Sequence, residues 1–456
     1  METQSAFYQK KVLILGLAKS GFTAAAVLHR LGAFVTVNDA KPFEENPDAA
    51  ELLSMGVTVI CGRHPEGLLD EGFELVLKNP GIPYDNPLVQ EAMKRGLPVW
   101  TEVELAYRIS KAPFIGITGS NGKTTTTTLL YQMLELDSKR PLIAGNIGTV
   151  AAGVAEQAEK ENVIVTELSS FQLKGTEAFR PRIAILMNLY EAHLDYHGSY
   201  EDYSTSKFKI AENQTQNDLL VYNADQAEVA AFAERMASTK VPFTLNGRSD
   251  TGASADDRFL YWQGIPLLAL EEIMLAGRHN LENAAAAAAA ALLWGCSKES
   301  VIQVLKTFAG VEHRTQFILE WNGRKFYNDS KATNALATKN ALEAFPSGII
   351  LLAGGLDRGH SFEELRPYMT RVKALVAFGE TAERFGNFAR ECGVSDVLSV
   401  LDVDAAVDAA VGLAEEGDTV LLSPACASWD QYKNFEIRGN AFINAVHRAT
   451  ALYTKR

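Results

Sequence analysis

The stretch Phe114-Ile115-Gly116-Ile117-Thr118-Gly119-Ser120-Asn121-Gly122-Lys123-Thr124 carries an apolar, β-branched run into a glycine-rich turn and then into Lys-Thr. A helix-forming segment follows, from Thr125 to Leu134. Strand, turn and helix in that order suit a loop that cradles phosphate, because backbone N–H groups and a helix N-terminus face the anion while Lys123 adds a point charge. Gly119, Ser120, Asn121, Gly122, Lys123, Thr124 and Thr125 are therefore candidates to hold the phosphates of a nucleotide. Thr124 is placed to offer its hydroxyl to a magnesium ion. The spacing is irregular: the usual pattern wants glycine five residues before Gly122, where this chain has Ile117. The competing reading is a tight strand-to-helix turn with no ligand.

Around this loop lie 456 residues, more than one ordinary core accommodates, and the length points to roughly three domains. A hydrophobic content of 47% with 22% charged residues is that of a soluble globular chain. The net charge of −13 argues against a nucleic-acid surface, although Lys and Arg gathered at one site still allow an anionic small molecule. Cys61, Cys296, Cys392 and Cys426 lie far apart with no Cys-x-x-Cys pair, so neither a disulfide framework nor a zinc site is expected. Met1 to Lys11 has no apolar signal core, and the most apolar run, Ala284 to Trp294, is too short to span a bilayer. The expectation is a cytoplasmic protein without membrane insertion.

Strands and helices alternate along the whole chain, which predicts α/β architecture with mainly parallel sheets. The first block has strands at Lys11–Leu15, Ala33–Asn38, Val57–Ile60 and Leu75–Leu77. Gly16-Leu17-Ala18-Lys19-Ser20-Gly21 has the outer glycines of a dinucleotide fingerprint but alanine in the middle, while Asp39 stands at about the distance of a ribose-binding acid. A Rossmann-like domain holding a phosphorylated ligand other than NAD fits better. The second block adds strands at Val163–Thr166, Ile183–Met187 and Leu219–Tyr222, a β-rich piece over Phe259–Leu268 and an alanine-rich helix after Asn283. The third opens with a hairpin over Phe317–Tyr327 and continues with strands at Ile349–Leu352, Ala374–Phe378 and Thr419–Leu422. Boundaries near 111 and 310 give domains over residues 1–111, 112–310 and 311–456.

Several polar residues sit where such a fold puts its chemistry. Glu167 ends a strand next along the chain from the phosphate loop, a place from which a carboxylate holds nucleotide-bound magnesium. His193 follows another buried strand, at a site edge or as a structural histidine. Lys207 reads as an ordinary helix lysine. Asn280 is a natural N-cap, and Asn280 with Asn283 can also present amides to an adenine or a phosphate. Arg314 suits a γ-phosphate, Asp329 a ribose and Lys331 a developing negative charge. Ser428 and the backbone near it suit a small carboxylate, while Cys426 is a nucleophile without an evident base.

Taken in order, Thr118–Thr124, Thr166-Glu167-Leu168-Ser169-Ser170-Phe171-Gln172, Gly277–Asn283, His313-Arg314 and Asn328–Asn334 resemble the motifs of the Mur ligases, the ATP-dependent enzymes that build the peptide of peptidoglycan. The resemblance spans essentially the whole chain, and the family shares the short glycine spacing of the phosphate loop. Ser423–Asp430, Lys433-Asn434-Phe435-Glu436 with Arg438-Gly439, and Asn79-Pro80-Gly81-Ile82 look like the branch that adds D-glutamate.

The resemblance implies a Rossmann-like N-terminal domain, a central P-loop ATPase-like domain and a Rossmann-like C-terminal domain. It implies ligation of D-glutamate to UDP-N-acetylmuramoyl-L-alanine through an acyl phosphate, with ATP and two magnesium ions, by a monomer. By the same resemblance Lys123, Glu167, His193 and Lys207 are catalytic, with Thr124, Glu167, His193 and a carbamylated Lys207 at the metals. Asn280, Asn283, Arg314 and Asp329 match nucleotide positions. Leu17, Ala18, Asp39, Asn79, Gly81 and Asn146 match the UDP-substrate side. Lys331, Thr333, Arg358, Ser428, Trp429 and Phe435 match the D-glutamate pocket, although relatives carry lysine where this chain has Arg358. Two other readings are another family member, adding L-alanine or resembling folylpolyglutamate synthase, and a nucleotide-binding regulator without turnover.

Overall fold

In the computed structural model, residues 6–275 and 277–453 are described, the side chains of residues 452 and 453 excepted. The first sheet contains β1 (Lys11–Leu15), β2 (Phe34–Asp39), β3 (Thr58–Cys61), β4 (Leu75–Lys78) and β5 (Val99–Trp100). They are all parallel, in the order β3-β2-β1-β4-β5. Sequential winding reverses between β1 and β4, so a crevice opens at the C-terminal ends of those two strands. The helix Lys19–Arg30 follows β1 and buries the small residues Gly21, Ala24, Ala25 and Ala26 together with Val27 and Leu28.

The second sheet has nine strands: β6 (Phe114–Thr118), β7 (Pro141–Gly145), β8 (Val163–Glu167), β9 (Ile183–Leu186), β10 (Leu219–Asn223), β11 (Thr239–Thr244), β12 (Ala253–Ala255), β13 (Phe259–Trp262) and β14 (Ile265–Ala269). The order is β14-β13-β12-β11-β10-β9-β6-β8-β7. Pairing is parallel from β7 across to β12 and antiparallel for β13 and β14. Strand β6 is buried along its length between β8 and β9, which is why it reads as an unbroken apolar run and not as an alternation. The helix Lys123–Leu136 leaves its end.

These two sheets belong to one compact unit, Met1–Glu272 with Glu282–Val304. A single apolar cluster runs through both, including Ile14, Leu28 and Val37 from the first sheet's layer and Phe114, Ile164 and Leu186 from the second. Buried polar groups fix the joint. Thr101 Oγ1 donates to the Gln172 carbonyl at 2.6 Å, and Glu104 accepts the backbone N–H groups of Glu177, Ala178 and Phe179 at 2.9–3.1 Å. Glu102, also buried, accepts from Ala152 N–H at 3.0 Å; burial pushes its pKa up to about 7.

The second unit, Ile273–Leu281 with Leu305–Arg456, holds the third sheet. Its strands are β15 (Gln316–Trp321), β16 (Arg324–Asn328), β17 (Ile349–Gly354), β18 (Val372–Phe378), β19 (Asp396–Ser399) and β20 (Thr419–Leu422), in the order β15-β16-β20-β17-β18-β19. Only the β15–β16 hairpin is antiparallel. Separate apolar clusters cover the two faces, one with Leu351, Leu375 and Phe385, the other with Leu352, Val376 and Phe442.

Two expectations change. The alanine-rich helix begins at Arg278, so Asn280 lies in its first turn and is not the cap. Gly277, at φ +93°, precedes the helix, and its carbonyl accepts from the N–H groups of Asn280 and Leu281. Strands β5, β7, β11, β12 and β19 also exist without having been expected; β5 is only two residues long and β11 contains Pro242.

Candidate active site

The turn between β6 and its helix has the geometry of an anion cradle. Gly122 adopts φ +81° at the helix start, and a Cβ there would lie 2.2 Å from Asn283 Oδ1. Glycine at this position is thus required twice, by the left-handed backbone and by the approach of Asn283. Thr126 Oγ1 donates to the same Asn283 oxygen at 3.3 Å. The loop is braced from the segment after β9: Ser120 N–H donates to the Asn188 carbonyl at 2.9 Å, and Asn121 N–H to Asn188 Oδ1 at 2.8 Å. Lys123 Nζ donates to the carbonyls of Gly119 and Ser120 at 2.8 and 3.0 Å.

Beside the loop, at the end of β8, Glu167 is buried with both oxygens engaged. Thr124 Oγ1 donates to Oε2 at 2.8 Å, and Asn146 Nδ2 to Oε1 at 2.7 Å. A hydroxyl and a carboxylate in contact suit magnesium, which takes few protein ligands and completes its shell with water and substrate phosphate oxygens. Among the described residues no group of three or more His, Cys, Asp and Glu forms a metal cage. Asn146 stands at the Glu167 carboxylate, while the turn that carries it also touches the first sheet's layer through Lys19 Nζ and the Gly148 carbonyl at 3.3 Å.

Lys207 lies on the helix Tyr200–Glu212 and is buried. Its Nζ donates to the Gly119 carbonyl at 2.8 Å and lies 4.9 Å from the centroid of the Tyr203 ring. Desolvation, and next the Lys123 ammonium, hold its pKa well below the usual lysine value. His193 is exposed at φ +57°, and its ring packs edge-on against Phe171 at 4.9 Å. Desolvation with Lys207 nearby lowers its pKa. Tyr203 OH meets Ser120 Oγ at 2.7 Å, so one aromatic residue joins the Lys207 helix to the phosphate loop.

At the switch point of the first sheet, Leu17 N–H donates to Asp39 Oδ2 at 2.6 Å, and Lys41 N–H to its Oδ1 at 2.8 Å. The loop after β4 turns tightly, with Ile82 N–H donating to the Asn79 carbonyl at 3.0 Å and Gly81 N–H to Asn79 Oδ1 at 3.2 Å. A Cβ on Gly16 would lie 3.0 Å from Asn79 Cβ, so this loop packs on the turn bearing Leu17 and Ala18.

In the second unit, Asp329 is buried at the end of β16. It accepts from Thr315 N–H at 3.1 Å and from Ser423 Oγ at 2.8 Å, and burial pushes its pKa up to about 7. Lys331 Nζ lies 5.0 Å from the Phe435 ring centroid, bringing together two residues that are far apart in sequence. Arg358 lies over the exposed Trp429 at 5.3 Å, and Ser428 next to that tryptophan is buried. Cys426 is buried with Thr381 Oγ1 3.5 Å away, and desolvation raises its pKa, the opposite of what a nucleophilic thiolate needs.

Three family models match along the chain: a Mur ligase MurD-like N-terminal domain over residues 10–101, a Mur ligase middle domain over 117–291 and a Mur ligase glutamate ligase domain over 313–426. The chain is 57% identical to the UDP-N-acetylmuramoylalanine–D-glutamate ligase of Geobacillus sp. (strain WCH70), over 98% of this chain and 99% of that protein. The chain belongs to the Mur ligase family. The protein of the same name from Bacillus subtilis (strain 168) is 54% identical to this Mur ligase, with the same coverage. The fold agrees with that of UDP-N-acetylmuramate-alanine ligase MurC from Thermotoga maritima, at a TM-score of 0.57 and 19% identity over 96% of this chain and 99% of that one.

Sequence reasoning missed several residues that shape this Mur ligase. Phe171 packs against His193, Tyr196 and His197, and Asn188 holds the phosphate loop. Arg438, fully buried, donates to Ser330 Oγ at 3.1 Å, the Ser330 carbonyl at 2.8 Å and the Cys426 carbonyl at 3.0 Å. Desolvation brings its pKa down to about 10. Its signal was a charged residue inside a quoted motif; nothing in the spacing showed that it would turn inward.

Proposed function

We propose that this enzyme joins D-glutamate to UDP-N-acetylmuramoyl-L-alanine in cytoplasmic peptidoglycan precursor synthesis, with ATP converted to ADP and phosphate. The observation that carries this reading is the 57% identity, over almost the full length of both chains, to a UDP-N-acetylmuramoylalanine–D-glutamate ligase. The γ-phosphoryl group of ATP passes to the L-alanyl carboxylate, giving an acyl phosphate and ADP. The amine of D-glutamate attacks the acyl carbon, loses a proton and expels phosphate as the amide forms.

Charge builds on phosphoryl and then carbonyl oxygens, so fixed donors and cations perform most of the stabilisation. In this reading the loop Gly119 to Thr125, through the N–H groups that Asn188 does not already engage, and the Lys123 ammonium hold the ATP phosphates, and Asn280, Asn283, Arg314 and Asp329 serve the nucleotide. Thr124, Glu167, His193 and Lys207 would hold magnesium. When bound, that ion supplies Lewis-acid stabilisation of the phosphoryl oxygens. Lys207 would act as a carbamate, formed when its neutral amine adds to CO₂ and loses a proton. Leu17, Ala18, Asp39, Asn79, Gly81 and Asn146 grip the UDP-linked acceptor. Lys331, Thr333, Arg358, Ser428, Trp429 and Phe435 receive D-glutamate, and the enzyme acts as a monomer.

The test is an assay of individual amino acids with the UDP-linked acceptor and ATP. D-glutamate-dependent release of phosphate together with a ligated product supports the reading. Phosphate release indifferent to D-glutamate, or selective for L-alanine, refutes it. Loss of ligation in Lys123→Ala separates an enzyme from a nucleotide-binding regulator.

A further inference from the structure

Lys78 is the last residue of β4 and is completely buried, yet among the described residues no carboxylate pairs with it. Its Nζ donates to the Ile82 carbonyl at 2.8 Å, the Pro80 carbonyl at 3.3 Å and the Asn79 carbonyl at 3.5 Å. The fourth partner is Tyr196 OH at 3.0 Å, from the short helix Leu194–His197 of the second sheet's layer. Tyr196 OH closes the same cage from its own side, reaching the Pro80 and Ile82 carbonyls at 3.0 and 3.1 Å. The Tyr84 ring lies 4.6 Å from the ammonium. Burial, with the Lys174 ammonium nearby, brings the lysine's pKa down to about 7.

Burying an amine without a counter-charge is costly, and the cost is offset only where its N–H groups satisfy acceptors that would otherwise be buried without a donor. What Lys78 does is local: its Nζ gathers the carbonyls of Asn79, Pro80 and Ile82 onto one point, in the loop that packs on the turn after β1. That loop forms one wall of the crevice at the switch point.

We infer that Lys78, with Tyr196, is a positioning residue that pre-orders the Asn79–Ile82 loop for the UDP-linked acceptor and ties it to the helix that begins directly after His193. The inference rests on the reading of the first sheet as the acceptor's grip. A loose loop must be ordered on binding, so losing the cage raises the acceptor KM and leaves the ATP and D-glutamate constants alone.

The experiment compares Lys78→Met and Tyr196→Phe with the wild-type full chain. The acceptor KM is expected to rise about tenfold in Lys78→Met and about threefold in Tyr196→Phe, the scale of one lost charged or neutral hydrogen bond. In both variants kcat and the KM values for ATP and D-glutamate stay within about twofold, while the Tm of Lys78→Met falls because the buried carbonyls it served lose their donor. An unchanged acceptor KM in Lys78→Met overturns the inference. So does a lowered Tm accompanied by a parallel rise in all three KM values, which marks a purely structural lysine. Absence of acceptor-dependent turnover in the wild-type protein refutes the functional reading itself and the inference with it.

Discussion

Lys207 and Lys123 both donate to the carbonyl of Gly119, each at 2.8 Å. Two ammonium groups on one oxygen repel each other, and burial of Lys207 favours its neutral form. If Lys207 works as a carbamate, Lys207→Ala loses most of its turnover, and a short-chain carboxylate such as formate or acetate restores part of it. Steady-state assays with and without the added carboxylate check this, and failure of every carboxylate tried removes support for the modification. Nothing in the local sequence marks this lysine, because its burial is created by the phosphate loop, 88 positions away. Asp329 offers a test by titration. Its folded-state pKa of about 7 lies above its ordinary 3.8, so the folded protein holds the extra proton, and stability falls as pH rises between those values. Asp329→Asn removes that dependence. Thermal unfolding is expected to show the variant gaining on the wild type from pH 4 to pH 8; a constant difference contradicts the assignment.

The element that was most legible is the one beginning at β6. An apolar run, glycines at 119 and 122 and a helix-forming continuation leave little freedom, and the structure puts strand, turn and helix there. The β15–β16 hairpin was equally legible from its apolar run, and it extends over Gln316–Asn328. Strands β7 and β11 were not, since each begins at or contains a proline and owes its pairing to a neighbour fixed elsewhere. The start of the alanine-rich helix was misplaced because an asparagine competes well for the cap, whereas Gly277 with its positive φ took the position before the helix. Within the phosphate loop, Gly122→Ala is expected to lower stability by roughly 1–2 kcal/mol through the left-handed backbone, with a further loss from the contact with Asn283. Urea unfolding measures the first. A rise in the ATP KM of at least about tenfold measures the displacement of the cradle, and an unaltered KM argues against this loop as the phosphate site.

At the scale of the molecule, alternating blocks foretold three α/β sheets, but not how the first two are joined. A shared apolar cluster and the buried contacts of Thr101, Glu102 and Glu104 unite them. Those contacts bring together residues about 50 to 75 positions apart, beyond the reach of periodicity. An exposed pair such as Arg30–Glu156, with N···O at 2.6 Å, adds little by comparison, typically under about 1 kcal/mol. The two sheets are therefore expected to unfold as one cooperative body. Variants retaining only Trp100, on β5, or only Trp262, on β13, should give coincident fluorescence midpoints in urea. Separated midpoints would show that the joint is weaker than its buried contacts imply.

Trp429 is 62% exposed, with the Arg358 guanidinium 5.3 Å from its ring centroid and Ser428 beside it in the chain. A cation over an indole face perturbs its emission, so the enzyme carries its own optical gauge at the segment proposed to receive the amino-acid substrate. Titration with D-glutamate should shift the emission of a variant that keeps Trp429 alone, and Arg358→Lys should shrink that signal because a compact ammonium does not stack as a planar guanidinium does. Occupancy of the amino-acid site then becomes observable without turnover and without a label.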